Sequence, residues 1–244
     1  MILAAGLGTR LRPITNTRPK ALVEVGGHTL LEITLQRLRE FDIREVIVNV
    51  HHFADRVMDY LRENNNFGMR IEISREDELL DTGGGLKKAA WFFLEDGTAD
   101  PFLLHNVDVL STIDFQRMLR FHRERNALAT LAVQKRETSR SLIFDQAGEL
   151  RGRGSRCESP AMAPASAQGM QALAFSGVHV ISPRLLSMMT EQAAFSIIDA
   201  YVRLATQGEK ILAFAADEYD WRDLGKPENL ELAEQDLKRR ILKL

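Results

Sequence analysis

The chain has 244 residues, 45% of them hydrophobic and 27% charged, and carries a net charge of −2. This balance predicts an ordinary soluble globular protein, and the length allows one large α/β domain, taken as 1–244, or two small ones. It argues against nucleic acid as the main partner, which calls for a basic face. No apolar run approaches the roughly 20 residues needed to cross a bilayer. No basic segment leads into an apolar one as in a signal peptide, so the chain reads as cytoplasmic, with no membrane partner. The one cysteine, Cys157, excludes an internal disulfide. It lies in a Gly/Ser/Pro-rich stretch without a nearby general base, which argues against a catalytic thiol.

Met1, Ile2 and Leu3 form a short apolar strand that runs into Ala4-Ala5-Gly6-Leu7-Gly8-Thr9-Arg10. So short a strand suggests that a few of its residues precede Met1. Glycines let backbone N–H groups come close to a phosphate, and cations neutralise its charge. Arg10 closes the loop and Lys20 follows, within Arg18-Pro19-Lys20. A dinucleotide fingerprint would need a third glycine where Leu11 stands, and a P-loop would need Gly-Lys-Ser/Thr where Gly8-Thr9-Arg10 stands. The stretch therefore reads as a phosphate-gripping loop of another kind.

Apolar residues at helical spacing predict a helix over 28–41, followed by a buried strand over 45–50. A helix over 53–63 and a strand over 69–74 come next. Asp81-Thr82-Gly83-Gly84-Gly85 reads as a loop before a helix over 86–94. A strand over 101–105 ends at Asn106-Val107-Asp108. Asp114 suits the N-cap of a helix over 115–125, and a strand covers 128–133. Beyond Gln134 the pattern changes to a hairpin around residues 146–148 and an irregular loop over 152–170. A strand over 174–181, a helix capped by Ser182 with Pro183 at its first position, a helix over 195–206 and a strand over 210–215 follow. A terminal helix covers 227–244. The alternation predicts a three-layer α/β/α Rossmann-like fold with a mixed, mostly parallel sheet. Ligands of such sheets bind at the carboxyl ends of the strands, where Gly6–Arg10, Asn106–Asp108 and Asp81–Gly85 fall. A carboxylate at a strand end, such as Asp108, can hold Mg²⁺, which takes one or two carboxylates plus substrate phosphates.

The stretch Leu3–Pro13 followed by Arg18-Pro19-Lys20-Ala21-Leu22-Val23 resembles the opening of the nucleoside-diphosphate-sugar pyrophosphorylases. These are sugar-1-phosphate nucleotidyltransferases with a glycosyltransferase-A-like fold, and the resemblance extends in weaker form along nearly the whole chain. It implies a nucleotide-binding part over about 1–134, a sugar-binding part over about 135–226 and a C-terminal helix. It implies nucleotide contacts from Ala4, Ala5, Gly6, Gly8, Thr9, Arg10, Lys20, Thr82, Gly83, Gly84 and Asn106. Arg10 and Lys20 become the catalytic cations. Asp108 and Asp223, the latter within Trp221-Arg222-Asp223-Leu224-Gly225-Lys226-Pro227, become Mg²⁺ ligands, with Asp217 and Asp220 as rivals to the second. Gly177 and Asp108 would face the sugar.

The implied partners are a nucleoside triphosphate and a sugar 1-phosphate, in a monomer or homodimer. Thr82–Gly85 looks most like uridylyltransferases acting on N-acetylmuramate 1-phosphate, which implies UTP. GTP with mannose 1-phosphate is the alternative, and a non-catalytic nucleotide- or sugar-binding regulator is another. Two departures stand out. Val107 replaces a glycine usual in the family, and no Glu-Lys-Pro segment supplies the lysine that grips the sugar phosphate. Arg151, Arg153 and Lys135 are candidate substitutes.

Overall fold

The computed structural model describes residues 1–95, 97–154 and 169–238. Cys157, most of the stretch over 152–170 and the last six residues of the expected terminal helix lie outside these residues. In chain order the first half comprises β1 (Ile2–Leu3), β2 (Glu24–Val25), β3 (His28–Thr29), α1 (Leu30–Glu40), β4 (Glu45–Val50), α2 (Ala54–Glu63), β5 (Arg70–Arg75), α3 (Asp81–Lys88), α4 (Ala90–Leu94), β6 (Phe102–Asn106), β7 (Val109–Ser111) and α5 (Phe115–Glu124). The second half comprises β8 (Ala129–Gln134), β9 (Ser141–Phe144), β10 (Leu150–Gly154), β11 (Gln171–Ile181), α6 (Arg184–Met188), α7 (Ile197–Thr206), β12 (Ile211–Ala215), β13 (Trp221–Asp223) and α8 (Pro227–Lys238).

Nine strands form one mixed sheet, ordered β10-β9-β11-β6-β1-β4-β5, with β8 and β12 branching from β11. β5, β4, β1 and β6 are mutually parallel. β11 runs the other way and serves two neighbours on one edge, β9 through residues 171–174 and β6 through 178–181. β8 takes its opposite edge and pairs in parallel with β12.

Alternation along the strands divides the core between the two faces. Val46, Val48 and Val50 of β4 pack with Leu31, Leu35 and Leu38 of α1 and Val57 and Leu61 of α2. Ile47, between them, packs on the other side with Leu86 of α3 and Tyr201 and Leu204 of α7. Both sheet faces are therefore covered, which gives the three layers. Each such side chain contributes about 1.5–3 kcal/mol by leaving water.

Three local expectations need correction. Asp81–Gly85 is not a loop: it forms the first turns of α3. Three glycines are poor helix formers, but tertiary packing requires them. A Cβ at Gly83 would run into the Phe195 ring, one at Gly84 would lie 2.9 Å from Ala193 O, and one at Gly85 would lie 2.7 Å from Asn49 Nδ2. Ser182 does not cap α6 with its side chain. Its hydroxyl donates instead to Ala127 O at 2.8 Å, and Pro183 takes the cap position. The segment at His28 begins as strand β3, and α1 starts only at Leu30, where the Thr29 hydroxyl accepts from Glu32 N–H. Asp114 caps α5 as expected, accepting from Arg117 N–H at 2.9 Å.

Candidate active site

Parallel pairing brings the first two polar clusters together. Leu3 at the end of β1 lies beside Asn106 at the end of β6 and beside Asn49 on β4. The glycine loop therefore leaves the sheet next to Asn106-Val107-Asp108. Gly8 has φ +63°, a backbone that L side chains rarely adopt, and a Cβ there would lie 2.8 Å from Thr15 Cγ2 and 3.1 Å from Lys20 Cβ. It lets the loop lie against the turn that carries Lys20. Thr15 Oγ1 and the Leu11 N–H both donate to Gly8 O at 2.8 Å, which fixes that contact. Open space surrounds Gly6. Among the described residues, the N–H groups of Gly6, Leu7 and Gly8 donate to no protein acceptor. Unspent donors on an exposed loop beside two cations have the chemistry that suits an anion. Thr9 opens the short 3₁₀ turn Thr9–Leu11 that presents Arg10.

The second half of the site comes from a two-stranded ribbon. β7 and β13 pair antiparallel, with Asp223 opposite Val109, and Leu224 N–H donates to Asp108 O at 2.7 Å. This pairing sets Asp223 beside Asp108. Lys20 Nζ is bonded to Asp108 Oδ2, and the two side chains are only 12% and 15% exposed. Arg10 Nη1 lies 3.5 Å from Asp223 Oδ2. Gly225 closes the group. A Cβ there would lie 2.7 Å from Arg10 Nη2, 2.8 Å from Asp223 Oδ1 and 3.1 Å from Asp108 Oδ2. Two carboxylates and Arg10 thus face one point that only glycine leaves open, with Lys20 bonded to one of the carboxylates. That donor set fits Mg²⁺, a hard ion content with two carboxylates and completed by substrate phosphates. Among the described residues no group of three or more His, Cys, Asp or Glu side chains is placed to hold a metal on its own.

β6, which ends two residues before Asp108, pairs on its other edge with β11. The pairing of β11 with β8 is irregular between Phe175 and His179, and Gly177 in that irregularity has φ +75°. A Cβ at Gly177 would lie 2.8 Å from Val109 Cγ2 and 2.9 Å from Asn106 Nδ2. Gly177 thus lets β11 approach Asn106 closely. Asn106 Oδ1 and Ser176 Oγ are buried without a hydrogen-bond partner among the described residues.

The chain matches the nucleotidyl transferase family over residues 1–240. It belongs to that family. It is 34% identical to the N-acetylmuramate alpha-1-phosphate uridylyltransferase of Caulobacter vibrioides, over 97% of this chain and 96% of that protein. It is 27% identical to a UTP–glucose-1-phosphate uridylyltransferase of Synechocystis, over 93% of this chain. It is 28% identical to a mannose-1-phosphate guanyltransferase of Yarrowia lipolytica, over 94% of this chain. The chain spans 60% and 61% of the length of these last two relatives. The fold is that of a putative glucose-1-phosphate thymidylyltransferase from Bacillus anthracis, with a TM-score of 0.80, 18% identity, and coverage of 100% of this chain and 95% of the other.

Within this nucleotidyl transferase fold, the glycines of Thr82–Gly85 do not bare the backbone. The N–H groups of Gly83 and Gly84 both donate to Phe195 O, at 2.9 and 3.3 Å. Thr82 Oγ1 accepts from Ile197 N–H at 2.9 Å. These bonds hold α3 against the start of α7. Ala4 and Ala5 are buried, and the Ala4 N–H is likewise committed, to Asn49 Oδ1 at 2.7 Å.

Some residues at the site escape a reading by motif. Asn49 Nδ2 donates to Glu76 Oε1 at 2.7 Å, and Leu80 N–H donates to Glu76 Oε2 at 3.0 Å. Glu76 is only 2% exposed. This chain of bonds ties the ends of β1, β4 and β5 to the start of α3. A polar Asn49 within the apolar run over 45–50 was the available signal. Gly225 and Arg136 also escaped.

Arg136 Nη2 donates to Phe175 O at 2.7 Å, and its guanidinium lies 3.8 Å from the Trp221 ring centroid. Burial pulls this guanidinium below its ordinary value, and the negative charge of Asp223 pushes it back up. Of the three cations the sequence offered for the sugar phosphate, Arg151 pairs with Asp145 and Glu149 and Arg153 with Asp199, whereas Lys135 is exposed and its side chain makes no ion pair among the described residues. Of the rivals to Asp223, Asp217 accepts from Lys135 N–H and Asp220 is exposed, with its backbone bonded to Thr112.

Proposed function

We propose that this chain joins a nucleoside triphosphate, UTP by preference, to a sugar 1-phosphate, N-acetylmuramate 1-phosphate being the first candidate. The observation that carries the reading is the convergence of Arg10, Lys20, Asp108 and Asp223 beside the unspent N–H groups of Gly6–Gly8. A phosphate oxygen of the sugar 1-phosphate attacks the α-phosphorus of the triphosphate. The bond to the β-phosphate oxygen breaks, and pyrophosphate leaves with its electron pair. The nucleophile is already ionised, so the chain needs no general base. Its work is positioning and charge neutralisation.

Each residue has a part in this scheme. The Gly6–Gly8 amides and Arg10 bind the β- and γ-phosphates that become pyrophosphate. Lys20 turns from Asp108 to the α-phosphate, where charge builds. Asp108 and Asp223 would hold Mg²⁺, which when bound neutralises phosphate oxygens and orients them. Asn106 and Gly177 face the sugar side with Asp108.

UTP as donor is supported by the similarity to the Caulobacter uridylyltransferase across nearly the full length of both chains. The similarity to the Yarrowia guanyltransferase favours a second reading, GTP with mannose 1-phosphate. Pyrophosphate release decides between them, measured with UTP, GTP, CTP and ATP against N-acetylmuramate, glucose and mannose 1-phosphates. The expected result is the highest kcat/KM with UTP. A higher value with GTP would establish the second reading, and no release with any pairing would leave a binding protein on the same fold.

A further inference from the structure

Arg136 stands just past β8, on the wall between β11 and β13. Trp221 and Asp223 are two residues apart on β13, so their side chains share a face. The guanidinium stacked on Trp221 therefore lies on the face that presents Asp223. Trp221 is itself pinned, its Nε1–H donating to Ser176 O at 2.7 Å, and Arg136 reaches across to Phe175 O at 2.7 Å. Both anchors belong to the irregular part of β11 that carries Gly177.

Arg136 is also the half-buried cation here without an ion pair. Among the described residues no carboxylate lies within 4 Å of it, and its buried Nε has no acceptor. A guanidinium drawn out of water with a donor unspent is unfavourable unless an anion completes it. Asn106 Oδ1 and Ser176 Oγ, buried and unpartnered, belong to the same β6–β11 corner. Arg10 and Lys20 are each paired with a carboxylate, Asp223 and Asp108. Arg136 is thus a third cation near these carboxylates and, unlike Arg10 and Lys20, makes no ion pair among the described residues.

We propose that Arg136 is the group that binds the phosphate of the sugar 1-phosphate in this chain, in place of the absent Glu-Lys-Pro lysine. The assignment rests on the functional reading above. A guanidinium held flat by Trp221 and fixed at one end by Phe175 O keeps its remaining N–H groups oriented for a phosphate's oxygens. Holding that phosphate beside Asp223 aims its oxygen at the α-phosphorus.

The test uses the whole chain with Arg136→Gln and Arg136→Lys. Arg136→Gln should raise KM for the sugar 1-phosphate about 10-fold or more, with KM for the triphosphate within about 2-fold of wild type. Arg136→Lys, which restores charge without the fork, should recover part of the loss. Arg136→Gln with an unchanged sugar-phosphate KM, or with both KM values raised alike, overturns the assignment. Calorimetric titration with glucose, mannose and N-acetylmuramate 1-phosphates separates this from the functional reading. Absence of pyrophosphate release by the wild type defeats that reading. A 10-fold weaker Kd in Arg136→Gln still supports Arg136, and equal Kd values, or no binding of any of the three to the wild type, overturn it.

Discussion

At the scale of single residues, Gly225 shows how much of the candidate site depends on space. Its missing Cβ is what lets Arg10, Asp223 and Asp108 face one point. Gly225→Ala is expected to leave the fold intact and displace these side chains by about an ångström, a change that typically costs about 10²-fold in rate. Steady-state turnover alongside a melting curve checks this, and near-normal turnover would remove Gly225 from the site. Asp108→Asn should lower turnover by about 10²–10³-fold, because it removes a carboxylate from the group that organises the reacting phosphates. Its far-UV spectrum should match wild type. Retained activity at saturating Mg²⁺ would show that Asp108 is only the partner of Lys20. Arg10, Lys20 and Asp108 were legible in the sequence because each stands in a short segment beside a strand end. Gly225 was not, because nothing in Leu224-Gly225-Lys226 tells what lies across from it.

At the scale of elements, α3 is the clearest case of packing overriding local preference. Gly83-Gly84-Gly85 reads as a loop by propensity, yet it is helical, and the missing side chains let the helix pack closely on residues 193–197 and Asn49. Gly83→Ala should destabilise by about 1–3 kcal/mol through overpacking against the Phe195 ring. Phe195→Leu in the same chain should return part of that loss. Denaturant midpoints of the two single variants and the double variant measure the coupling, and strict additivity would contradict the contact. The β7–β13 ribbon makes the opposite point. Both its strands are three residues long, too short for alternation to announce them. Their pairing nevertheless sets Asp223 beside Asp108.

For the whole molecule, three histidines tie stability to pH. His105 and His179 lie fully within the sheet, and His122 is held between Thr130 Oγ1 and Ser182 Oγ. Burial lowers His105 and His122 to about 4 and His179 to about 3. In the unfolded chain each titrates near 6.5, so between pH 6.5 and 4 the unfolded state binds more protons. Stability is therefore full above about pH 6.5 and falls as the pH drops, by about 2 kcal/mol per histidine at pH 5. Unfolding free energies at pH 7 and pH 5 should show the decline, and His122→Asn should reduce it by roughly one histidine's share. A pH-independent stability over this range would contradict the burial argument.

The sequence by itself determined the alternation of strands and helices, the covered faces of the sheet and the glycine loop with its cations. Each is encoded within a stretch of fewer than about twenty residues, where period and spacing act directly. Tertiary structure alone decided which distant groups meet. It set Asp223 against Asp108, placed Gly177 against Asn106, turned the Thr82–Gly85 stretch into a packed helix end and left Arg136 on Trp221, two residues along β13 from the second carboxylate. Those contacts join residues far apart in the chain, and they depend on which strands become neighbours in the finished sheet, a choice made by burial over the whole fold.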